Sequence, residues 1–339
     1  MGSRNWVAAL AAAAGLLAAL PAAALDKVTF GTNWKAQAEH GGYYQALVDG
    51  TYERFGLDVT IRQGGPNINH PQLLAAGKID FNMGGNMFAA FNYLTNKVPM
   101  VTVAAAFQKD PQVIMVHPDT PYRSLADLKG VTLLISRAGQ LTFWQWLKQA
   151  YGYTDQQVRP YTFNPAPFVA NKDWGQQGYV TSEPFAVEQT GGFTPRVFLL
   201  ADNGYQSYST TLETSWKLVD ENPDLVQRFV DATAIGWVNY LYGDPSAANA
   251  LIKRDNPDIS DAQLDYSLAK MKEYGIVDSG DADTLGINAM TDARWQSFYD
   301  FAVDAGLFAP GLDLKRGYTL RFVNKGVGLD RKKELLARQ

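Results

Sequence analysis

Cysteine is absent from this chain of 339 residues. That absence rules out disulfides, Cys-type zinc sites and thiol nucleophiles, so a folded state has to be held by its core alone. Histidine is nearly absent. Its three copies, His40, His70 and His117, stand in separate segments without metal-ligand spacing. No HExxH, G-x-S-x-G or P-loop pattern occurs, so the sequence demands no hydrolytic, metal or phosphoryl-transfer chemistry. Basic character is also missing. The net charge is −4 and the pI about 5.5, with no Lys/Arg stripe interleaved with aromatics, which excludes a nucleic-acid footprint. Past the N-terminus there is no apolar run long enough to span a membrane.

The N-terminus itself is distinct. Arg4 is followed by an apolar segment from Trp6 to Leu20, then Pro21 and small residues. That order predicts a secretory signal over residues 1–24, cleaved after Ala23 or Ala24. With no cysteine at the cleavage point to carry a lipid, the mature chain is expected to be free of the membrane, in a periplasm.

What remains is rich in apolar residues, 46%, and poor in charged ones, 19%, as a large buried core requires. At this length two lobes are expected. Strand-like runs at 28–31, 57–61 and 79–83 alternate with helix-like ones at 41–55 and 70–76, and a β-α-β-α-β order implies parallel strands with helices between them. A second α/β unit begins near Ser124, with strands at 131–135, 178–181 and 196–200. From Pro223 onward the chain reads as mostly helical. The expected division is lobe I over 25–113, lobe II over 114–211, and a return segment with C-terminal helices over 212–339 that packs largely on lobe I. The hinge is expected in 112–118 and 201–211.

In open α/β sheets ligands bind beyond the carboxyl ends of the strands. The polar and glycine-rich turns stand at such ends: Thr32-Asn33-Trp34, Gly64-Gly65-Pro66, Met83-Gly84-Gly85-Asn86 and Ser136-Arg137-Ala138-Gly139-Gln140. Four such turns split between two units predict the two jaws of one cleft. Trp34 interrupts a polar turn where no core face is apparent, and a flat ring there can stack on a flat ligand. Asn33 and Glu39 lie near it as hydrogen-bonding groups. Glu39 and His40 are adjacent, so on a helix their side chains diverge by ~100° and do not converge on one atom. His40 by itself reads as a capping or surface residue. The Ser136 turn suits either an anion cradle or plain helix N-capping. Glu183 suits either a ligand amino group or the surface.

Several stretches taken together resemble the periplasmic substrate-binding proteins of ABC importers. They are Trp34, Ala38-Glu39-His40-Gly41-Gly42, Tyr44-Gln45-Ala46, Gly64-Gly65-Pro66, Gln72 to Gly77, Phe107-Gln108-Lys109-Asp110-Pro111, Ser124 to Gly130, Gln177 to Pro184 and Met290-Thr291-Asp292-Ala293-Arg294-Trp295. More narrowly the chain is similar to the nitrate/sulfonate/taurine-type family that includes binders of thiamine pyrimidine precursors. The resemblance implies a two-lobed α/β fold of the type II-like periplasmic binding proteins, with mixed, mainly parallel sheets. It also implies a monomer that closes on one small molecule and hands it to an inner-membrane permease served by a cytoplasmic ATPase, without a cofactor. It places ligand contacts at Asn33, Trp34, Tyr43, Gly65, Gly84 and Asn86 on one jaw, and at Ser136, Gly139, Asn164 and Glu183 on the other. A thiamine-precursor aminopyrimidine is the ligand expected first, with sulfonate, taurine, nitrate or riboflavin as rivals. The same fold serves a fungal enzyme that makes the pyrimidine from its own histidine. That enzyme carries a cysteine-rich motif, which is missing here.

Overall fold

The computed structural model describes residues 24–65 and 68–338. The expected signal segment, apart from Ala24, lies outside the described residues, as does Pro66 of the second glycine turn. Among the described residues, ten strands form two five-stranded sheets. The first contains β1 (Asp26–Gly31), β2 (Leu57–Arg62), β3 (Phe81–Asn86), β4 (Met100–Phe107) and β10 (Ser209–Ser215), in the order β2-β1-β3-β10-β4. The second contains β5 (Gln112–Val116), β6 (Leu133–Ile135), β7 (Val158–Pro160), β8 (Gly175–Tyr179) and β9 (Arg196–Leu199), in the order β7-β6-β8-β5-β9. β1 pairs parallel with β2 and β3, and β6 with β7 and β8, as intervening helices require. In each sheet one strand runs against the others. This is β10 in the first and β5 in the second, the strand each lobe receives when the chain crosses over.

The crossings therefore lie at 108–111 and 200–208. The first is earlier than expected from sequence, because residues 112–116 are wholly engaged as β5 of lobe II and cannot serve as a free hinge. The second ends before Ser209, where β10 rejoins lobe I. The helix expected over 41–55 is two, Gly41–Val48 and Thr51–Arg54, parted by Gly50 in a left-handed conformation (φ 71°).

C-terminal helices cover lobe I. The helix Pro223–Tyr242 lies across Gly41–Val48, with Trp237 against Tyr43 and Phe107. Phe30, Phe81, Tyr52 and Phe229 form a continuous ring cluster beneath the sheet. No helix among the described residues is long and apolar enough to cross a membrane.

β10 carries a carboxylate in the core. Glu213 is fully buried and accepts hydrogen bonds from Asn82 Nδ2 (2.9 Å) and Tyr93 Oη (2.7 Å). Burial pushes its carboxyl up to about 6 despite those donors. A raised carboxyl pKa means the folded chain holds the proton more tightly than the unfolded one. The stabilisation is complete below about pH 4.5 and is lost as pH rises through about 6. At ~1.4 kcal/mol per pKa unit, roughly 2 kcal/mol is at stake. The neutral Glu213→Gln variant is accordingly expected to gain about 2 kcal/mol on the parent between pH 4.5 and 7.5 in urea melts. An equal difference at the two pH values would show that Glu213 does not titrate in this range.

Candidate functional site: the cleft between the lobes

The loop after β1 carries the lobe I jaw. Thr32 Oγ1 donates to the Trp34 carbonyl (2.9 Å) and accepts from Gly64 N–H (3.2 Å), tying this turn to the one after β2. Asn33 is left exposed and Trp34 half-buried, so the ring projects from a braced turn. Across the cleft stands Phe163, in the loop after β7. Its ring centroid lies 5.8 Å from that of Trp34, and the planes are inclined by 38°. Phe163 is 59% exposed and has φ of 62°, a left-handed backbone uncommon for a bulky side chain. Tyr161 supports it from behind at 5.2 Å.

Deeper in, the jaws touch through polar groups. Glu39, in the 3-10 turn Ala38–His40, accepts a 2.5 Å hydrogen bond from Thr181 Oγ1 of lobe II. Both residues are buried. Burial raises the Glu39 carboxyl above its ordinary range, against the lowering effect of Thr181. Glu183, at the start of the helix Glu183–Gly191, accepts from Tyr179 N–H (2.7 Å) and Tyr161 Oη (3.5 Å). Its carboxyl is pushed up to about 7, first by burial and also by the nearby charge of Glu39. Asp110, in the first crossing, is likewise raised by burial to about 7. Acidic groups from both jaws thus share this region, each more easily kept ionised by a hydrogen-bond donor.

His40 is neither a surface residue nor a side-chain cap. It is wholly buried, burial lowers it to about 3, and its Nε2 lies 3.3 Å from Asn33 Oδ1. A neutral imidazole held there orients Asn33.

Other expected contacts fall in different places. Tyr43 lies in the lobe I core with its ring 4.5 Å from that of Phe30, so it faces away from the cleft. Gly84 is set by packing: an added Cβ would lie 1.9 Å from Glu213 Oε1. Its neighbour Gly85 is exposed, with open space where a Cβ would stand; both glycines lie within β3, so the run expected as a turn is the strand's own end, and Gly85 is the residue there that admits close approach. Gly65 likewise has open space around it. Asn86 is half-buried and accepts from Phe88 N–H (3.2 Å), and exposed Asn164 accepts from Ala166 N–H (3.0 Å). Ser136 caps its own short helix through Gly139 N–H (3.1 Å) and donates its N–H to Gln177 Oε1 (2.6 Å). Gly139 is packed against that same Gln177, 2.6 Å from where its Cβ would be. Glu183 is half-buried and bonded, not a surface residue.

Phe163 and Thr181 did not stand out from the sequence as site residues. For Phe163 the available signal was an aromatic in a polar Thr-Phe-Asn-Pro turn, the same signal that marked Trp34. Among the described residues, no group of three or more His, Asp or Glu is placed to hold a metal ion. A surface cavity of about 400 Å³ between Asp292, Gln296, Leu312 and Tyr318 lies apart from all of the cleft residues above.

The sequence around these two sheets and their crossings matches a described family. Its model, NMT1/THI5 like, covers residues 37–248, more than half of the chain. The chain belongs to the NMT1/THI5-like family. Its similarity extends to the riboflavin-binding protein RibY of Chloroflexus aurantiacus, 24% identical over 89% of this chain and 87% of that one. Among solved structures, the periplasmic aliphatic sulphonate binding protein SsuA from Escherichia coli superposes with a TM-score of 0.65. It is 14% identical and is covered over 86% of this chain and 91% of that chain. The desulfurization enzyme DSZB also matches, with a TM-score of 0.57 and 15% identity over 90% of this chain and 99% of that chain. This NMT1/THI5-like chain therefore has the periplasmic-binding-protein fold, which serves binders and at least one enzyme.

Proposed function

We propose that this chain is the solute-binding component of an ABC importer and captures a flat heteroaromatic molecule bearing N–H donors, of the thiamine-precursor aminopyrimidine class. The observation that carries this reading is the pairing of Trp34 and Phe163 across the cleft, beside Glu39 and Glu183. Rings from opposite jaws hold the two faces of a flat ligand, and carboxylates accept from its edge. Ligand amino or ring N–H groups stabilise the ionised carboxylates, which burial alone disfavours. An anion such as a sulfonate or nitrate meets the opposite field here. In the Ser136 turn that would cradle it, the Ser136 N–H is spent on Gln177 and the Gly139 N–H on the Ser136 hydroxyl oxygen, both within lobe II. Riboflavin is the second reading, favoured by similarity to RibY over most of both chains. It too is flat, with an N–H edge.

On this reading the chain binds without transforming its ligand. The neutral, buried His40 offers no proton at neutral pH, and the periplasm is the compartment that suits delivery to a membrane permease. A thermal-shift panel of aminopyrimidines, riboflavin, taurine and nitrate tests the ligand class. A true ligand at a hundred times its Kd adds ~2.7 kcal/mol to the folded state, and only flat donors are expected to raise the melting temperature. A rise with taurine or nitrate alone overturns the proposal. So does formation of a pyrimidine product on incubation with pyridoxal phosphate and iron.

A further inference from the structure

Two stretches that the ligand contacts leave unused, Phe107-Gln108-Lys109-Asp110-Pro111 and Met290-Thr291-Asp292-Ala293-Arg294-Trp295, meet at the hinge. Arg294, on the helix Asp292–Asp304, sends its guanidinium between the two crossings. Its Nη2 donates to the carbonyl of Gln108 in the first crossing. In the second crossing Nε donates to Gln206 (2.9 Å) and Nη2 to Ser207 (3.2 Å). The guanidinium carbon sits 4.0 Å from the centroid of the Tyr208 ring. That tyrosine is itself fixed, donating to Asp281 (3.2 Å) and accepting from Thr291 N–H (2.9 Å). Gln108 is held from the other side, by the Ile276 carbonyl on its N–H (2.8 Å) and by the Ala289 carbonyl on its amide (2.9 Å).

We infer that Arg294 is a positioning residue that sets the angle between the jaws by locking the lobe I ends of both crossings into one rigid unit. A planar fork with several donors reaches three carbonyls at once, which a lysine ammonium cannot do from the same place. With Gln108 and Lys109 both held on the Ile276 carbonyl and residues 206–208 clamped, bending is confined to 110–111 and 201–205. Lys109 and Asp202 join the two crossings through a 2.7 Å ion pair. Hinges absorb a domain rotation in a few terminal residues, and the clamp determines which ones. Loosening it lets the jaws rest further apart, and ligand binding must then recover the added cost of closure.

The inference rests on the binding reading only for its effect on affinity; the jaw angle is measured without ligand. The cysteine-free chain accepts a pair of spin labels at exposed Lys78→Cys in lobe I and Lys172→Cys in lobe II. Electron-spin distance measurements on the ligand-free protein are expected to show a longer and broader distribution in Arg294→Gln than in the parent. Arg294→Lys, which keeps the charge and the fold, is expected to show a smaller shift in the same direction. Affinity for whichever panel compound binds the parent is expected to fall several-fold in Arg294→Gln. Parent-like distances in Arg294→Lys, or in a folded Arg294→Gln, overturn the inference. If no compound in the panel binds the parent, the proposed ligand class fails while the distance result still decides the role of Arg294.

Discussion

Gly236→Ala is expected to lower the stability of the folded chain by about 2–3 kcal/mol, in the range of overpacked cores, and its melting temperature by roughly 3–5 °C. Gly236 lies in the middle of the helix Pro223–Tyr242, where alanine would normally gain ~1 kcal/mol of helix propensity. Contact overrides propensity at this point. An added Cβ would lie 2.3 Å from the carbonyl oxygen of Gly42 and 2.6 Å from Ala46 Cβ. A backbone oxygen cannot rotate aside as a side-chain end can, so the two helices must separate. Separation draws Trp237 away from Tyr43, now 5.8 Å between ring centres, and from Phe107 at 5.6 Å. The helix Gly41–Val48 is continuous with the turn carrying Glu39 and His40, so the damage reaches the cleft. Gly85→Ala is the control. Nothing stands within 4 Å of its added Cβ, and its stability is expected to match the parent in thermal and urea melts. Equal melting curves for Gly236→Ala and the parent would show that the helices adjust without cost.

That glycine shows where sequence reading runs out. Apolar runs bounded by turn residues place β1 and β2 closely, whereas the third strand, expected at 79–83, runs over Phe81–Asn86 and takes in the glycines expected as its following turn. The jaws follow from those strand ends, which is why Asn33, Trp34, Glu39 and Glu183 were all visible as candidates. β10 was not visible. Ser-Thr-Thr-Leu-Glu-Thr-Ser has little apolar signal, yet six of its seven residues are buried because the strand sits between β3 and β4. Its polar side chains are satisfied internally, Thr214 by the Asp80 carbonyl and Glu213 by Asn82 and Tyr93. Hydrophobic patterning cannot register burial achieved through hydrogen bonds. The glycine turns carry a related ambiguity. Gly84 and Gly85 are identical in sequence terms, but one is glycine because Glu213 crowds it and the other faces open space. Tyr43 is the converse case, a residue near the site in sequence whose helix turns it into the core.

Trp34→Ala is expected to weaken ligand binding by about 30-fold or more, equivalent to ~2 kcal/mol, while leaving the melting temperature of the ligand-free protein unchanged. The ring is half-buried on a turn whose own bonds, Thr32 to the Trp34 carbonyl and Gly64 N–H to Thr32, involve no indole atom. Its removal thus takes away ligand surface without disturbing the fold. The spacing makes a stacked ligand feasible. Two van der Waals layers of ~3.5 Å need about 7 Å between opposed rings. The present 5.8 Å separation requires an opening of only about an ångström, with the 38° tilt flattening as a plane enters. Phe163 tests the same geometry from the other jaw. Phe163→Gly relieves a left-handed backbone that costs a bulky residue roughly 1–2 kcal/mol, and should therefore hold or raise stability even as it weakens the ligand. Calorimetric titration of both variants with the compound that shifts the parent's melting point measures this. Undiminished affinity in Trp34→Ala would remove the ring from the site, and equal affinity in both variants would leave the carboxylates as the only grip. A loss in both, joined to unchanged or improved stability in Phe163→Gly, is the pattern of a residue kept strained because a ligand needs it there.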